Sequence, residues 1–331
     1  MTGTHLFPER TYRELFGIKK AKDIEYVDGL IGALEKIDRA LLPAPAAHPL
    51  SGLIGGGLAS VDELVAKVEG SDEQAALDAI DALAHIFLYA GVPESAAVRL
   101  RKAMSRAGGS EKNPEKVALL AKCLAIGGDE ELLTQQLTLL ADDDPGVVAS
   151  AARLLGLGRF RPAVPALRAL VSPDRLYESR MVIWTLGEIG DRAALYELEY
   201  ALASGFRSVD CMIAMGKIGE LTSIPKLTPM AISGLPEQRD AAWRAIAMIL
   251  DQNRELAQGA EPLVKELTGL IEHQLADDGL DKSGSLRFHL CLCLARLGHT
   301  LDVARVKKIL NIQLDESEAT EMAGFFMRKG R

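Results

Sequence analysis

Aromatic residues are scarce in this chain. Its 331 residues include 8 Phe, 6 Tyr and 2 Trp, or 5%. A core for a chain of this length must then be built from Leu, Ala, Ile and Val, a composition that suits many similar helices. Cysteine is also rare, with Cys123, Cys211, Cys291 and Cys293 alone. Four cysteines in a chain long enough to bury a large core do not make a disulfide framework. No uninterrupted apolar run reaches the roughly 18 residues that a membrane-spanning helix needs. The opening MTGTHLFPERTYRELFGIKK has no apolar run before a small-residue cleavage site. No secretory signal is visible in it, and cytoplasmic residence is expected. Positive charge is in short supply too: 38 Lys and Arg stand against 46 Asp and Glu, a net charge of −8. That balance argues against general nucleic-acid binding.

What the chain does have is repetition. From Leu137 to about Leu250 it is similar to itself. Glycine pairs or near pairs recur in Leu155-Gly156-Leu157-Gly158, Leu186-Gly187-Glu188-Ile189-Gly190 and Met215-Gly216-Lys217-Ile218-Gly219. The closing glycines step by 32 and 29 residues, and a looser copy lies at Leu124-Ala125-Ile126-Gly127-Gly128. A second marker keeps the same period. Val164, Leu167 and Leu170 match Leu195, Leu198 and Ala201, then Ile224, Leu227 and Met230. Each trio has the spacing of one helical stripe.

The implied unit is a helical hairpin. Its first (A) arm ends at the glycine, which is expected to supply a left-handed C-terminus. Its second (B) arm runs back for about three turns. Asp144-Pro145 shows how an A arm starts, with a capping carboxylate and a proline at the first helical position. Asp240 is expected to cap the helix Ala241–Leu250 in the same way. One hairpin cannot bury its apolar stripe alone, so hairpins must stack.

The residues Asp144-Pro145-Gly146-Val147-Val148, Ala151-Ala152-Arg153-Leu154-Leu155-Gly156 and Ala163-Val164-Pro165-Ala166-Leu167 resemble the bacterial HEAT-like repeats, the group that includes the repeats of phycobilin lyase subunits. Ser223-Ile224-Pro225-Lys226-Leu227 is a looser copy. The resemblance is clearest over 115–250. It implies an all-α, right-handed α-solenoid of about six or seven hairpins, a fold that specifies function poorly. Weaker hairpins are expected at Ala75–Gly91 with Ser95–Ala107, and at Leu286–Gly298 with Leu301–Ile312. Leu256–Leu275 reads as one elongated second arm.

Residues 1–60 differ and form a distinct N-terminal helical region; the solenoid occupies 61–331. Ala21–Leu42 reads as an amphipathic helix that ends at the linker Pro43-Ala44-Pro45-Ala46-Ala47-His48-Pro49. Helix resumes at Ser60-Val61-Asp62-Glu63, a capping box. The helix 21–42 and the Phe325-Phe326-Met327 end read as caps on the solenoid or as docking elements.

Candidate chemistry is thin. Gly55-Gly56-Gly57 matches no phosphate-binding signature and reads as a hinge. His289 and Cys293 share a helical face, but two ligands do not close a zinc site. Buried thiols are the simpler expectation, and no metal or cofactor is expected. No His-Glu dyad occurs, unlike the iron-binding hydroxylases built from HEAT-like repeats. Trp184 and Trp243 lie in apolar helices and read as structural. Residues 151–235 carry ten basic and eight acidic side chains, too weak a surplus for strong phosphate binding.

A protein-binding surface remains. Arg159 and Arg161 fall in one A–B turn and Arg192 in the next, so they form a candidate row along one edge. Tyr196 and Tyr200 stand at i, i+4 on the following B arm, the inner arm in HEAT stacks. Arg and Tyr are enriched at binding hot spots. The sequence therefore points to a non-enzymatic scaffold or adaptor, binding another protein on its concave face or this arginine edge. The alternatives are a chromophore-lyase-like or other HEAT-repeat enzyme, implied by the resemblance alone, and a nucleic-acid binder.

Overall fold

The computed structural model describes residues 58–109, 111–276, 285–310 and 316–327. The helix expected at 21–42, the proline linker and the Gly55-Gly56-Gly57 run lie outside the described residues. Those described form an all-α solenoid of helical hairpins, with no strand among them. They divide into two units, one ending at Phe206 and the other starting at Arg207.

In the first unit α1 (Leu58–Glu69) packs on α2 (Glu73–Ala90) and α3 (Glu94–Gly108). Three more hairpins follow: α4 (Pro114–Ile126) with α5 (Glu130–Leu139), α6 (Pro145–Leu157) with α7 (Val164–Ala169), and α8 (Leu176–Ile189) with α9 (Leu195–Ala203). The A arms stack in chain order, α2 on α4, α4 on α6 and α6 on α8. Short polar side chains start these helices by accepting free backbone N–H groups. Asp72 takes Ala75 N at 3.1 Å, Asn113 takes Lys116 N at 3.0 Å, Asp129 takes Leu132 N at 2.8 Å and Asp144 takes Gly146 N at 2.7 Å. Ser60 is different. Helix α1 already covers Leu58, so Ser60 lies within its first turn instead of capping it.

The B arms α7 and α9 each open with one 3-10 turn, Arg161–Ala163 and Arg192–Ala194. The apolar trios fill the core beneath them. Leu167 and Leu198, the middle members, are fully buried.

The glycines prove to have two uses. Gly190 and Gly219 take the left-handed conformation expected of a helix end, with φ of 71° and 82°. Gly158 and Gly127 do not; their φ values are −80° and −73°, and the left-handed residue comes one position later, at Arg159 (φ 50°) and Gly128 (φ 77°). The cause is packing. A Cβ on Gly158 would lie 2.7 Å from both methyls of Leu133, and one on Gly127 would lie 2.8 Å from Val92 Cβ. Internal Gly156 likewise lets α6 meet α8, since a Cβ there would sit 2.7 Å from the Trp184 ring and 3.2 Å from Thr185 Cα. Thr185 seals that contact by donating its hydroxyl to Ala152 O at 2.8 Å.

The second unit begins with α10 (Ser208–Ile218) and α11 (Ile224–Ser233), followed by the long α12 (Pro236–Gln252). The expected elongated arm at 256–275 is broken into α13 (Arg254–Gly259) and α14 (Glu261–Leu275). The chain turns at Ala260, and Pro262 stands at the start of α14, where its missing N–H costs nothing. Then come α15 (Ser285–Arg296), α16 (Val303–Leu310) and α17 (Glu316–Met327). Counted together, the described residues hold seven hairpins.

Helix α12 packs on α10, α11 and α15. A Cβ on Gly216 would stand 2.8 Å from Ala245 Cα, so α10 and α12 approach as closely as α6 and α8. Asp240 is not a cap. Helix α12 starts at Pro236, with Gln238 accepting Leu235 N at 3.0 Å, which places Asp240 inside the helix.

Candidate functional site

The sequence-selected arginines and tyrosines all lie in the first unit. Arg161 and Arg192 each open the 3-10 turn that leads into a B arm, 31 residues apart, and so hold equivalent positions in consecutive hairpins. Arg159 occupies the left-handed position that ends α6, an arrangement that costs a non-glycine residue about 1 kcal/mol. All three are exposed. Their guanidinium groups meet no carboxylate among the described residues.

Tyr196 and Tyr200 project from α9 and are 74% and 70% exposed. They therefore do not cover core. Leu198, Ala201 and Leu202 do that on the opposite side of the helix. The equivalent positions on α7, 31 residues earlier, are the small, exposed Pro165 and Ala169. The phenol rings therefore stand beside a B arm of low relief.

Between these two B arms lies a bidentate ion pair that sequence reasoning missed. Arg168 Nε donates to Glu197 Oε2 at 2.8 Å, and Nη2 donates to Oε1 at 2.7 Å. Partial burial raises the Glu197 pKa, but the hydrogen bonds and charge of Arg168 more than offset this, so the carboxyl sits below its ordinary value. The sequence signal was available, since Arg168 and Glu197 are 29 residues apart, one repeat. Arg168 and Glu197 thus neutralise each other beside Arg159, Arg161 and Arg192, while Asp191, next to Arg192, accepts Ala193 N at 2.9 Å. Tyr177 and Leu176, at the start of α8, were also missed; Tyr177 is 71% exposed. Tyr177, Tyr196 and Tyr200 all face solvent.

The other candidates resolve into structural roles. Cys293 donates its Sγ–H to Trp243 O at 3.6 Å, and His289 Nδ1 pairs with Asp240 Oδ1 at 2.9 Å. They are thus engaged with different partners. No group of three or more potential metal ligands occurs among the described residues. Burial pushes the Cys123 and Cys211 thiols up to about 12 and raises those of Cys291 and Cys293 as well, so none is a ready nucleophile. Trp243 is fully buried with its indole N–H on Ala231 O at 3.1 Å, while Trp184 is half-buried. Phe325 and Phe326 are buried against Phe288, ring centroids 5.9 and 5.2 Å away. They close the last hairpin and do not form a docking peptide. No helix among the described residues is long and apolar enough to cross a membrane.

No protein-family model matches the chain, and no curated protein matches it in sequence. Solved structures similar to it include the complex of CpcE and CpcF of phycocyanin lyase from Nostoc sp. PCC7120, at 18% identity over 71% of this chain and 94% of that chain, TM-score 0.40. Kap121p is similar at 12% identity over 91% of this chain and 35% of that one, TM-score 0.47. Human deoxyhypusine hydroxylase is similar at 14% identity over 85% and 99%, TM-score 0.31. The hairpin architecture itself rests on the period of the sequence and on the helices described above.

Proposed function

We propose that this protein is a non-enzymatic, cytoplasmic helical-repeat scaffold that binds another protein through the exposed face of α9 and the neighbouring arginine edge. The observation that carries this reading is the exposure of Tyr196 and Tyr200. Large amphipathic rings held at 74% and 70% exposure on a rigid helix supply contact area at little cost in side-chain entropy. The core beneath them is complete without them, so stability gives no reason for their presence. Arg159, Arg161 and Arg192 add charged donors at the margin of the same unit, in the residue class enriched at hot spots.

The test is affinity capture with the full chain, followed by direct titration of each captured protein against purified variants. Tyr196→Ala with Tyr200→Ala is expected to weaken binding of a true partner by about a hundredfold or more, the range of a hot spot. A partner bound equally well by wild type and by this double variant would remove α9 from the interface.

A further inference from the structure

The cations of the first unit are paired unevenly. Arg99, Arg101, Lys116, Arg168 and Arg175 each meet at least one carboxylate. Arg159, Arg161 and Arg192 meet none among the described residues, and they stand in two consecutive A–B turns. Arg159 supplies a second, independent observation. Gly128, Gly190, Gly205, Gly219 and Gly298 fill the left-handed position at other helix ends; here that position holds an arginine, while the other non-glycine residues of positive φ among those described, Lys112 and Arg207, stand before helices. Glycine would serve the backbone better, so what the arginine adds is its side chain.

We infer that this edge receives an acidic peptide segment of a protein partner, whose carboxylates pair with Arg159, Arg161 and Arg192 while its apolar side chains lie on Tyr196 and Tyr200. The inference rests on the protein-binding reading above and adds the chemistry of the partner. Guanidinium groups bind carboxylates through paired N–H donors, and an acidic segment brings such acceptors at intervals. A nucleic acid fits less well. Its phosphates repeat at every step, an even charge density that three arginines in two turns do not match. In residues 151–235 the surplus over eight acidic side chains is only two basic ones.

The experiment uses the full chain and three fluorescein-labelled probes at low salt, read by fluorescence polarisation. One probe is a short peptide alternating Glu and Leu, the second replaces each Glu by Gln, and the third is a single-stranded oligonucleotide of equal length. The Glu peptide is expected to bind at least about tenfold more tightly than the Gln peptide, and its binding should fall as salt is raised. Arg161→Gln with Arg192→Gln should weaken it about tenfold or more, and Arg159→Gly should weaken it without loss of helical circular dichroism. Absence of binding by the Glu peptide overturns the inference. So does equal binding of both peptides, an unchanged affinity in the arginine variants, or tighter binding of the oligonucleotide. If both peptides bind equally and Tyr196→Ala with Tyr200→Ala abolishes both, the acidic partner is lost while the α9 interface stands. If the tyrosine and arginine variants leave both peptides and the captured partner unaffected, both proposals fall.

Discussion

The two units place their large rings differently: the first buries Phe87 and half-buries Trp184 but exposes three tyrosines. In the unit ending at Phe206, Tyr177, Tyr196 and Tyr200 stand in solvent. In the unit starting at Arg207, Trp243, Phe288, Phe325 and Phe326 are buried, and the three phenylalanines touch one another. Charges are buried in both units, as Asp129 is beneath Arg101 at 2.8 Å in the first, but the pairs differ in how deeply both partners lie. Arg99 and Arg168 make their ion pairs at the partly exposed margins of neighbouring hairpins. Arg296, by contrast, is buried, with Asp251 on its Nε and Phe326 O accepting from Nη1 at 3.0 Å. A regular stack of short hairpins closes mainly on small and aliphatic residues, with Phe87 and Trp184 added, and it leaves its tyrosines free for contact. Where the period lengthens, as at α12 to α15, Trp243 and Phe288 join the core.

The strongest way to break this comparison is at the buried charge. Asp251→Ala leaves Arg296 buried without its carboxylate and is expected to cost about 3–5 kcal/mol in urea unfolding. Arg99→Ala, at a margin, should cost within about 1 kcal/mol. Similar losses for both would erase the distinction.

The close helix crossings come next. Gly216→Ala drives a methyl into the backbone at Ala245 and should destabilise by about 1–3 kcal/mol. Gly269→Ala, inside α14 with open space around it, should instead stabilise by about 0.5–1 kcal/mol. Thermal melts of the two variants should move in opposite directions.

A smaller effect is expected from pH. Burial raises the pKa of Asp240, but the charge and hydrogen bond of His289, the Ser285 hydroxyl at 2.9 Å and the charge of Arg244 outweigh it and hold the carboxyl below its ordinary value. A depressed carboxylate stabilises the fold above its unfolded value of about 3.9 and loses that contribution as pH falls through the folded one. Wild type should therefore lose stability in acid below about pH 4, and Asp240→Asn should flatten that limb of the curve. An acid limb of unchanged slope in the variant would remove Asp240 as its source.

The smallest effect is expected at the exposed rings. Tyr196→Ala with Tyr200→Ala should leave stability within about 0.5 kcal/mol of wild type, the usual range for surface changes. Phe326→Ala should cost several kcal/mol, about 3–5 for a buried aromatic. A large loss from the tyrosine variant would show that these rings serve the fold.

Much of this architecture was legible in the sequence because packing and period are the same information. Leu167 and Leu198 are core residues at the predicted positions, and the Asp144-Pro145 start is in place. Glycine was legible as a marker but ambiguous in use. Gly158 and Gly190 look alike in sequence, yet one relieves a clash with Leu133 and the other turns the chain, a difference set by a neighbouring hairpin. Asp240 was read as a cap because an acid before an apolar run is the usual start signal. Pro236 and Gln238 make that start earlier, and His289 claims the carboxylate from 49 residues away. The break at Ala260 was signalled by Pro262, which the apolar pattern of Leu256–Leu275 concealed. At the candidate site, the residue types and their spacing could be read directly. The exposure of Tyr196 and Tyr200, and the pairing that removes Arg168 from the charge count, depend on the fold around α9.

The spacing of bonds between hairpins has a consequence for how the chain is made. In the first unit several of these bonds join residues about one repeat apart: Arg101 to Asp129 over 28, Arg168 to Glu197 over 29, Arg99 to Glu69 over 30 and Thr185 to Ala152 over 33, with Asn113 to Glu73 the longest of the set at 40. The second unit keeps that spacing in Gln238 to Ser208 over 30 and Thr268 to His299 over 31, but there Asp240 also waits for Ser285 over 45 residues, and Trp243 waits for Cys293 over 50. Contacts of short sequence separation form early and contacts of long separation form late. On the ribosome each hairpin of the first unit thus finds its partner soon after it emerges. Helix α12 finds α10 and α11 already made, but its face toward α15 stays uncovered until α15 is synthesised, which makes that interval the vulnerable moment of biosynthesis.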